Sequence, residues 1–401
     1  MAAPRRVLSL ATLYPNPVRP AFGTFVARSL EALAARGDWE VTVINPLGMP
    51  TVPFGQYREI ADLPSLAVEG GIDVHRPRFT LVPKLGGRWN PALIARAVLP
   101  LAQRLHRATP FDLIDAQFFY PDGPAAARVA ASLGLPLSIK ARGADIHYWG
   151  QRGFARRRML SAASQARGLL AVSDALRRDM IAVGMQPEKI SVHYTGLDRQ
   201  LFEVTERSQA RAQLAENAGL HVATSGKLLV TVGALTPRKG QRLALRALAM
   251  LPDAVLKVVG TGPDEGDLRR LAAELGLSDR VQFPGSVPHE QLATILSAAD
   301  AMVLPSASEG LANAWIEALA CGTPIVISDV GGARELLDTP VAGRLAARNP
   351  DAIAQAVGEI FADPQPQEAV AATVTRFSWE ANAAALARHY DGLLGGGRSL
   401  P

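Results

Sequence analysis

The sequence predicts an α/β protein made of two domains, each built on a mostly parallel sheet. The chain has 401 residues, and a chain of this length usually folds around two or more hydrophobic cores. Short runs rich in β-branched residues alternate with Ala- and Leu-rich segments of helical period, as expected for strands joined by crossover helices. This alternation restarts after about residue 203, so we expect one domain over 1–203 and a second over 204–376.

The first domain is predicted to begin with a strand in RVLSLATL, and we interpret the N-terminus as this strand and not as a signal peptide. Helices are predicted in TFVARSLEALAARG, with Gly37 at its C-terminal end, and in GPAAARVAASLGL. The polar stretch Glu203–Lys227 predicts a linker helix. Further strands are expected in VTVIN, FDLIDAQ, PLSIKAR, GLLAVS and ISVHYTG.

The second domain repeats this pattern and ends with one amphipathic helix, FSWEANAAALARHYDGLL. Parallel sheets bind ligands at the carboxyl ends of their strands, so we expect the chemistry in the strand-to-helix loops. The predicted strands lie in LLVTVGAL, AVLKVVG, RVQFPG, DAMVLP and PIVISD.

Charge and cysteine content narrow the class of protein. Residues 1–200 contain 25 Lys and Arg against 15 Asp and Glu, whereas the rest contains 17 against 22. A basic first half suits a phosphorylated substrate or an anionic membrane surface, or is a solvated face. No nucleic-acid motif is present, so we expect no nucleic-acid partner. The single cysteine, Cys321, cannot form an internal disulfide and suggests no metal site. No segment of the sequence is long and apolar enough to span a bilayer. We therefore expect a metal-free cytoplasmic protein.

Two carboxylates, Glu309 and Glu317, flank a predicted helix start in SEGLANAWIEALACGTPIV. A helix beginning near Ala312 or Asn313 would leave Glu309 in the loop and carry Glu317 about one turn inside. At that spacing they are too far apart to share a proton, but they could bind two hydroxyl-bearing parts of one long ligand. The helix N-terminus and Gly310 would suit a phosphate between them. The alternative is a capping Glu309 and a solvated Glu317.

Loops after other strands add further candidates, each with a plain structural alternative. Arg238 and Lys239, in TVGALTPRKG, could neutralise a diphosphate or be solvated. Gly262, in VVGTGPDEG, most simply indicates a tight turn after the strand; the second interpretation is a close approach of the backbone to a ligand.

Two loops of the first domain also carry candidate residues. Gly23 and Thr24 precede the first helix, either as an anion site or as a turn followed by a capping threonine. Arg142 and Asp145, in SIKARGADIHYW, form either a catalytic cluster or a loop ion pair.

Taken in this order, the stretches resemble the retaining glycosyltransferases of family four (glycosyl transferases group 1) over nearly the whole chain. The most specific is EGLANAWIEALACGTPIV, which is similar to the E-x7-E element of that family, and VGALTPRKG and VGGARELL accompany it. The resemblance implies the GT-B fold, two Rossmann-like domains facing each other across a deep cleft. It also implies transfer of a sugar from a nucleotide-diphosphate-sugar donor to an acceptor hydroxyl with retention of configuration, without metal or other cofactor, in cell-surface polysaccharide or glycolipid biosynthesis.

The resemblance also implies roles for single residues. Glu309 would hold donor-sugar hydroxyls and Glu317 the ribose, while Lys239, helped by Arg238, would stabilise the departing diphosphate. Gly23 would let the first domain approach that diphosphate. The other donor-binding residues implied are Gly262, Pro284, Gly285, Val287, Gly310, Leu311, Ala312 and Asn313.

In the first domain the resemblance implies an acceptor site, with Arg142 and Asp145 as catalytic residues and the helix 377–395 completing the domain; 204–376 would bind the donor. The family often has histidine where this chain has Arg142 and arginine where it has Ala234. Arg142 cannot act as a neutral imidazole, but it can hold a phosphate or an acidic acceptor bidentately. Arg238 can replace the cation that is missing at Ala234.

The sequence alone does not decide which acceptor is used or whether the protein contacts a membrane. The expected acceptor is a glycan or a lipid-linked glycan. The stretch 76–110 mixes basic and apolar residues with Trp89, so it could lie peripherally on the anionic inner face of a membrane, or pack on its own domain. Two other functions compete on this fold: a sugar-nucleotide isomerase and a non-catalytic nucleotide-sugar binder.

Overall fold

The computed structural model describes residues 3–81, 86–218 and 226–395 and divides the chain into two compact units. Unit 1 comprises Met1–Gly196 with Trp379–Pro401, and unit 2 comprises Leu197–Ser378. Residues 82–85 of the basic stretch and 219–225 of the predicted linker helix lie outside the described residues.

Unit 1 contains an eight-stranded sheet in the order β10-β9-β8-β7-β1-β2-β5-β4, and a separate parallel pair, β3 with β6. All neighbours in the large sheet are parallel except β4 and β5. The strands are β1 Arg5–Leu10, β2 Trp39–Ile44, β3 Leu47–Met49, β4 Leu66–Glu69, β5 Ile72–His75, β6 Arg78–Thr80, β7 Leu113–Ala116, β8 Leu137–Ala141, β9 Gly168–Ala171 and β10 Ile190–Val192.

The helices of unit 1 connect these strands and pack on the sheet through their small and apolar residues. The longest of them, Gly86–Ala108, lies within the basic stretch 76–110 and buries Ile94 and Val98. This face of the helix therefore packs on its own domain, as one of the two alternatives predicted. The helices are α1 Thr24–Ala35, α2 Gln56–Asp62, α3 Gly86–Ala108, α4 Asp122–Leu133, α5 Gly153–Gln165 and α6 Asp174–Ala182, with a π-helical turn at Asp145–Trp149.

Unit 2 contains a fully parallel six-stranded sheet in the order β13-β12-β11-β14-β15-β16. This is the Rossmann order, in which the direction of winding reverses between the first and fourth strands. The strands are β11 Lys227–Val232, β12 Ala254–Val259, β13 Val281–Gly285, β14 Ala301–Leu304, β15 Ile325–Ile327 and β16 Gly343–Leu345.

The helices of unit 2 cover both faces of that sheet. The predicted linker helix is part of this domain, because it packs on the helix before β14 and buries Ala210 and Leu214. The helices are α7 Arg207–Ala218, α8 Gln241–Leu248, α9 Glu265–Glu274, α10 His289–Ala298, α11 Asn313–Ala320, α12 Ala333–Leu336, α13 Pro350–Ala362 and α14 Gln367–Ala372.

The last helix, α15 (Trp379–Gly395), returns to unit 1 and packs beside α1. The rings of Trp39 and Tyr390 meet edge to face with their centroids 5.2 Å apart. The Ser29 hydroxyl donates to Asn382 Oδ1 at 2.7 Å, and both side chains are buried. Apolar contact and a satisfied buried hydrogen bond together fix this helix on the N-terminal sheet.

Every strand predicted from the sequence is present, and each unit is a Rossmann-like α/β domain. The sequence did not reveal β3 to β6 or β16, which have three or four residues each. Runs this short contain too few side chains for an alternating pattern to stand out.

Candidate functional site

In unit 2 most of the predicted donor-binding residues lie at or just after the carboxyl ends of the strands, and the charged pair Lys239 and Glu309 lies where the strand order reverses. Lys239 lies in the loop after β11 and Glu309 in the loop after β14, and these two strands are neighbours. Gly262 follows β12, and Pro284 and Gly285 end β13. The crevice outside such a reversal is the usual ligand site of an open α/β sheet.

Lys239 and Arg238 both contact one oxygen of Glu309. Lys239 Nζ lies 2.7 Å and Arg238 Nη1 lies 3.1 Å from Glu309 Oε1. Glu309 is 9% exposed and the Lys239 side chain 13%, so this pair is largely shielded from water, whereas the Arg238 side chain is half exposed. Its second oxygen, Oε2, has no hydrogen-bond partner among the described residues. The cluster therefore has one excess positive charge and one free acceptor.

Glycines hold the loop of Glu309 in place. Gly331, after β15, has φ +52°, and a Cβ there would collide with the carbonyl oxygens of Glu309 and Gly310. The Gly332 N–H also donates to the Gly310 carbonyl at 2.8 Å. Only glycine permits this close backbone approach, so the VGGARELL element acts by supporting the turn that carries Glu309.

A second contact fixes the loop of Lys239 against the loop of Glu309. Gly240 has φ +78°, and a Cβ there would collide with the Pro305 carbonyl. The Ala307 N–H donates to the Arg238 carbonyl at 2.7 Å. The two loops that carry the charged residues are thus joined through their backbones.

Helix α11 begins at Asn313 with Ala312 as its N-cap, as the spacing predicted, and leaves Glu309 in the loop. Glu317 is partly buried, and burial raises the pKa of its carboxyl to about 7. Because the residue is partly buried, the alternative of a freely solvated Glu317 is wrong. Its carboxylate has no hydrogen-bond partner among the described residues. A ligand that brings hydroxyl donors would satisfy it.

The glycines predicted to approach a ligand have structural roles as well. A Cβ on Gly262 would collide with the Leu235 carbonyl, which supports the tight turn. Gly23, with φ +77°, would place a Cβ 2.7 Å from the Leu13 carbonyl carbon. Gly23 is itself the N-cap and Thr24 is the first residue of α1, with no side-chain capping bond. The alternative in which Thr24 caps the helix is therefore wrong.

In unit 1, Arg142 follows β8 and is held by Gln117, which follows the neighbouring strand β7. Its Nε donates to the Gln117 carbonyl at 2.7 Å, and its Nη2 donates to Gln117 Oε1 at 2.6 Å. Its guanidinium carbon lies 4.8 Å from the centre of the Phe25 ring. Burial lowers the Arg142 pKa to about 10, so the group remains cationic at neutral pH.

Asp145 organises the loop that carries Arg142. Its carboxylate accepts the backbone N–H groups of Phe119, Arg142, Gly143 and Ile146 at 2.8 to 3.1 Å. The predicted alternative of an Arg142–Asp145 side-chain ion pair is wrong, because the guanidinium binds Gln117 instead. A carboxylate saturated by four N–H donors positions the loop.

Sequence reasoning missed three residues beside Arg142. The Gln117 amide donates to the buried Asp115, which also accepts from Ser9. Asp122 is buried, accepts the backbone N–H and hydroxyl of Thr12 at 2.9 and 2.7 Å, and has its pKa raised by burial to about 7. The signal was present: polar residues at the end of β7, in IDAQFFYPD, occupy the same sheet edge as Arg142.

The structure brings Arg142 and Asp145 together in one loop of unit 1, and Arg238, Lys239 and Glu309 together in unit 2. Gly23, Arg142 and Asp145 belong to unit 1, and the remaining candidates belong to unit 2. Across the described ranges, no three His, Cys, Asp or Glu side chains are grouped as a metal site would require. Within the same ranges, no helix combines the length and apolar character needed to cross a bilayer.

Comparison with known families agrees with this architecture. The family described as Glycosyltransferase Family 4 matches residues 23–201, and the family described as Glycosyl transferases group 1 matches residues 215–376. A Bacillus subtilis (strain 168) protein, named "Putative teichuronic acid biosynthesis glycosyltransferase TuaC", is 30% identical over 362 residues, 88% of each chain.

Other relatives are similar over part of their length or in fold alone. The GDP-mannose-dependent alpha-(1-6)-phosphatidylinositol monomannoside mannosyltransferase of Mycolicibacterium smegmatis is 34% identical over 200 residues, 46% of this chain and 52% of the relative. Sucrose-phosphate synthase from Thermosynechococcus elongatus is 22% identical with a TM-score of 0.79, covering 98% and 100% of the two chains. Anabaena HepE in complex with UDP-glucose is 22% identical with a TM-score of 0.72, covering 96% and 99%.

Proposed function

Because the chain belongs to glycosyltransferase family four and has the GT-B fold, we propose that it is a retaining enzyme that uses a nucleotide-diphosphate-sugar donor and needs no metal ion. The observation that carries this proposal is the contact of Lys239 and Arg238 with one oxygen of Glu309, at the reversal of the strand order in unit 2. This cluster contains both a cation for a diphosphate and an acceptor for sugar hydroxyls.

The cations would supply the electrostatic work of the reaction. A diphosphate gains negative charge as its bond to the sugar breaks, and preformed positive groups stabilise that charge most when they are shielded from water. Lys239 Nζ and the Arg238 guanidinium would donate to the departing phosphate oxygens. They would thus neutralise charge that many enzymes neutralise with a bound divalent cation.

Glu309 would orient the donor sugar. Its Oε2 is free to accept a sugar hydroxyl, and Oε1 would become free as well when a phosphate replaces it as the partner of Lys239. The N–H groups at the start of α11 would add donors near the diphosphate. Glu317, deeper in that helix, would accept the ribose hydroxyls, which matches its lack of a protein partner.

Unit 1 would bind the acceptor, and the fixed guanidinium of Arg142 would face its reacting end. The names of the relatives support an acceptor in cell-surface glycan or glycolipid assembly, since one refers to teichuronic acid and another to phosphatidylinositol monomannoside. The complex of HepE with UDP-glucose supports a nucleotide-sugar donor. A cytoplasmic enzyme with peripheral contact to an anionic membrane is part of this proposal.

A donor screen tests the proposal directly. UDP-, GDP- and ADP-sugars are incubated with the enzyme in EDTA, and nucleotide release and the anomeric configuration of the product are followed by NMR. We expect turnover of one donor class without metal and with retention, and loss of most of it in Glu309→Ala. Inversion, or turnover only after a divalent cation is added, would contradict the proposal.

A further inference from the structure

A pocket of about 280 Å³ opens in unit 1, beside the loops that follow β1 and β2. It lies entirely within this unit. Its lining includes Asn16, Arg19, Phe22, Asn45, Tyr57 and Asn90. This lining contains three asparagines, several aromatic and aliphatic side chains, one arginine and no carboxylate.

Two of the asparagines have unsatisfied acceptors. Asn45 is 1% exposed, and its Nδ2 donates to the Ala11 carbonyl at 2.7 Å. Its Oδ1 is buried without a hydrogen-bond partner, and so is Oδ1 of Asn90. Buried carbonyl oxygens are normally paired, so a ligand in this pocket gains affinity by bringing hydroxyl or N–H donors.

The rings at the pocket suit the flat face of a sugar. Tyr57 and Phe79 contribute aromatic surface to the lining. A pyranose ring has both an apolar C–H face and hydroxyl edges, which together match aromatic rings and amide oxygens. The lack of a lining carboxylate disfavours a cationic ligand, and Arg19 can accommodate an anionic substituent.

Two aromatic rings beside the pocket are exposed to water. Phe22 is 44% and Phe54 is 62% exposed, and the centre of the Phe54 ring lies 5.5 Å from that of Tyr57. An acceptor with an apolar group attached to its sugar would cover both rings and remove their surface from water.

We propose that this pocket binds the sugar ring of an amphiphilic acceptor, and that Phe22 and Phe54 contact the apolar group attached to that ring. The inference rests on the proposed function, because it assumes that unit 1 receives the acceptor. It adds the pocket, the residues that select the ligand and the chemical class: a glycoside with an apolar aglycone, not a free soluble sugar.

The test measures acceptor binding without any donor. Methyl, butyl and hexyl glycosides of glucose, galactose, mannose, N-acetylglucosamine and glucuronate are titrated below their micelle concentrations into the full-length protein, and binding is followed by calorimetry. We expect one sugar to bind, with affinity rising about tenfold or more from the methyl to the hexyl glycoside. If no glycoside binds, the proposal is wrong.

Variants assign the two parts of the site. Phe22→Ser with Phe54→Ser should abolish the gain with chain length and leave the methyl glycoside unaffected. Val68→Ser, at a side chain 70% exposed in the same unit, is the matched control and should bind like the wild type. Asn90→Ala should weaken all chain lengths about equally.

Two results would overturn the assignment. One is a chain-length gain that persists in the Phe22 and Phe54 double variant; the other is unchanged sugar binding in Asn90→Ala. Donor turnover is measured separately in each variant, so a failure of the proposed reaction is distinguishable from a failure of the pocket.

Discussion

The two units each place a cation at the carboxyl end of a parallel sheet, but they hold it in opposite ways. Lys239 in unit 2 is paired with the carboxylate of Glu309 at 2.7 Å. Arg142 in unit 1 is bound by the neutral Gln117 and covered by the Phe25 ring. A carboxylate partner offsets positive charge, whereas an amide and a carbonyl orient the cation and leave its net charge intact.

This difference indicates two tasks. Under the proposed function the Lys239 cluster would exchange partners, because a phosphate that approaches the lysine would compete with Glu309 and free that carboxylate for a sugar. Arg142 has two of its three nitrogens committed to Gln117, so it presents a fixed charge in one direction. In the proposed enzyme the donor side would reorganise on binding and the acceptor side would stay rigid.

The largest expected effect is at the exchangeable cation. Lys239→Ala should lower kcat by about 10²- to 10³-fold, the range seen when one donor to a developing negative charge is removed. Steady-state nucleotide release measures it. Arg242→Ala, at an exposed arginine of the same unit, is the matched control and should retain wild-type turnover. If both variants are equally active, the diphosphate does not meet Lys239.

The second effect tests the rigidity of Arg142. Gln117→Ala removes the side-chain acceptor that orients the guanidinium, and a misplaced catalytic group costs up to about 10²-fold. We expect kcat to fall with little change in the KM for the donor. A double-mutant cycle with Arg142→Lys should be strongly non-additive, because both changes disturb one unit. Additive losses would show that Gln117 acts elsewhere.

The third effect concerns pH and stability at Glu317. Burial raises its folded-state pKa to about 7, above the value of an unfolded glutamate near 4.3. The neutral form is therefore favoured by folding, and the contribution to stability, complete below about pH 4.3, is lost as pH rises through 7. Glu317→Gln should be about 1 to 3 kcal/mol more stable than the wild type at pH 8, and this difference should be much smaller at pH 5.

Urea unfolding of both proteins at the two pH values measures this difference. A stability gap that is the same at pH 5 and pH 8 would show that the Glu317 carboxylate is not destabilised by burial. Glu290→Gln, at an exposed carboxylate of the same unit, serves as the control.

The smallest expected effects are changes in the free energy of unfolding when a side chain is removed at the N-terminus of a helix in each unit. Asn349 Oδ1 accepts the Ala352 N–H at 2.8 Å as the N-cap of α13, so Asn349→Ala should cost about 1 kcal/mol. Thr24 makes no capping bond, so Thr24→Ala should change the free energy of unfolding by less than about 0.5 kcal/mol. Equal costs in thermal or urea unfolding would mean that Thr24 does cap α1.

Local sequence patterns predicted most of the strands and helices, because side chains repeat their direction every two residues in a strand and every 3.6 residues in a helix. The start of α11 at Asn313 followed from the same reasoning. Thr24 was a weaker case, because a threonine after glycine can either cap a helix or begin it, and only the backbone angles of Gly23 decide between these. The short strands β3 to β6 and β16 gave no usable period.

The sequence by itself determined that two α/β domains would form, that Glu309, Lys239 and Arg142 would lie in loops at strand ends, and that Glu317 would lie inside the helix after Glu309. Tertiary structure alone decided the partners. Glu309 and Lys239 are 70 residues apart, and Arg142 and Gln117 are 25 apart. Each pair meets because β11 lies beside β14 and β7 beside β8, and strand order is fixed by long-range packing of the whole sheet, which no local period encodes.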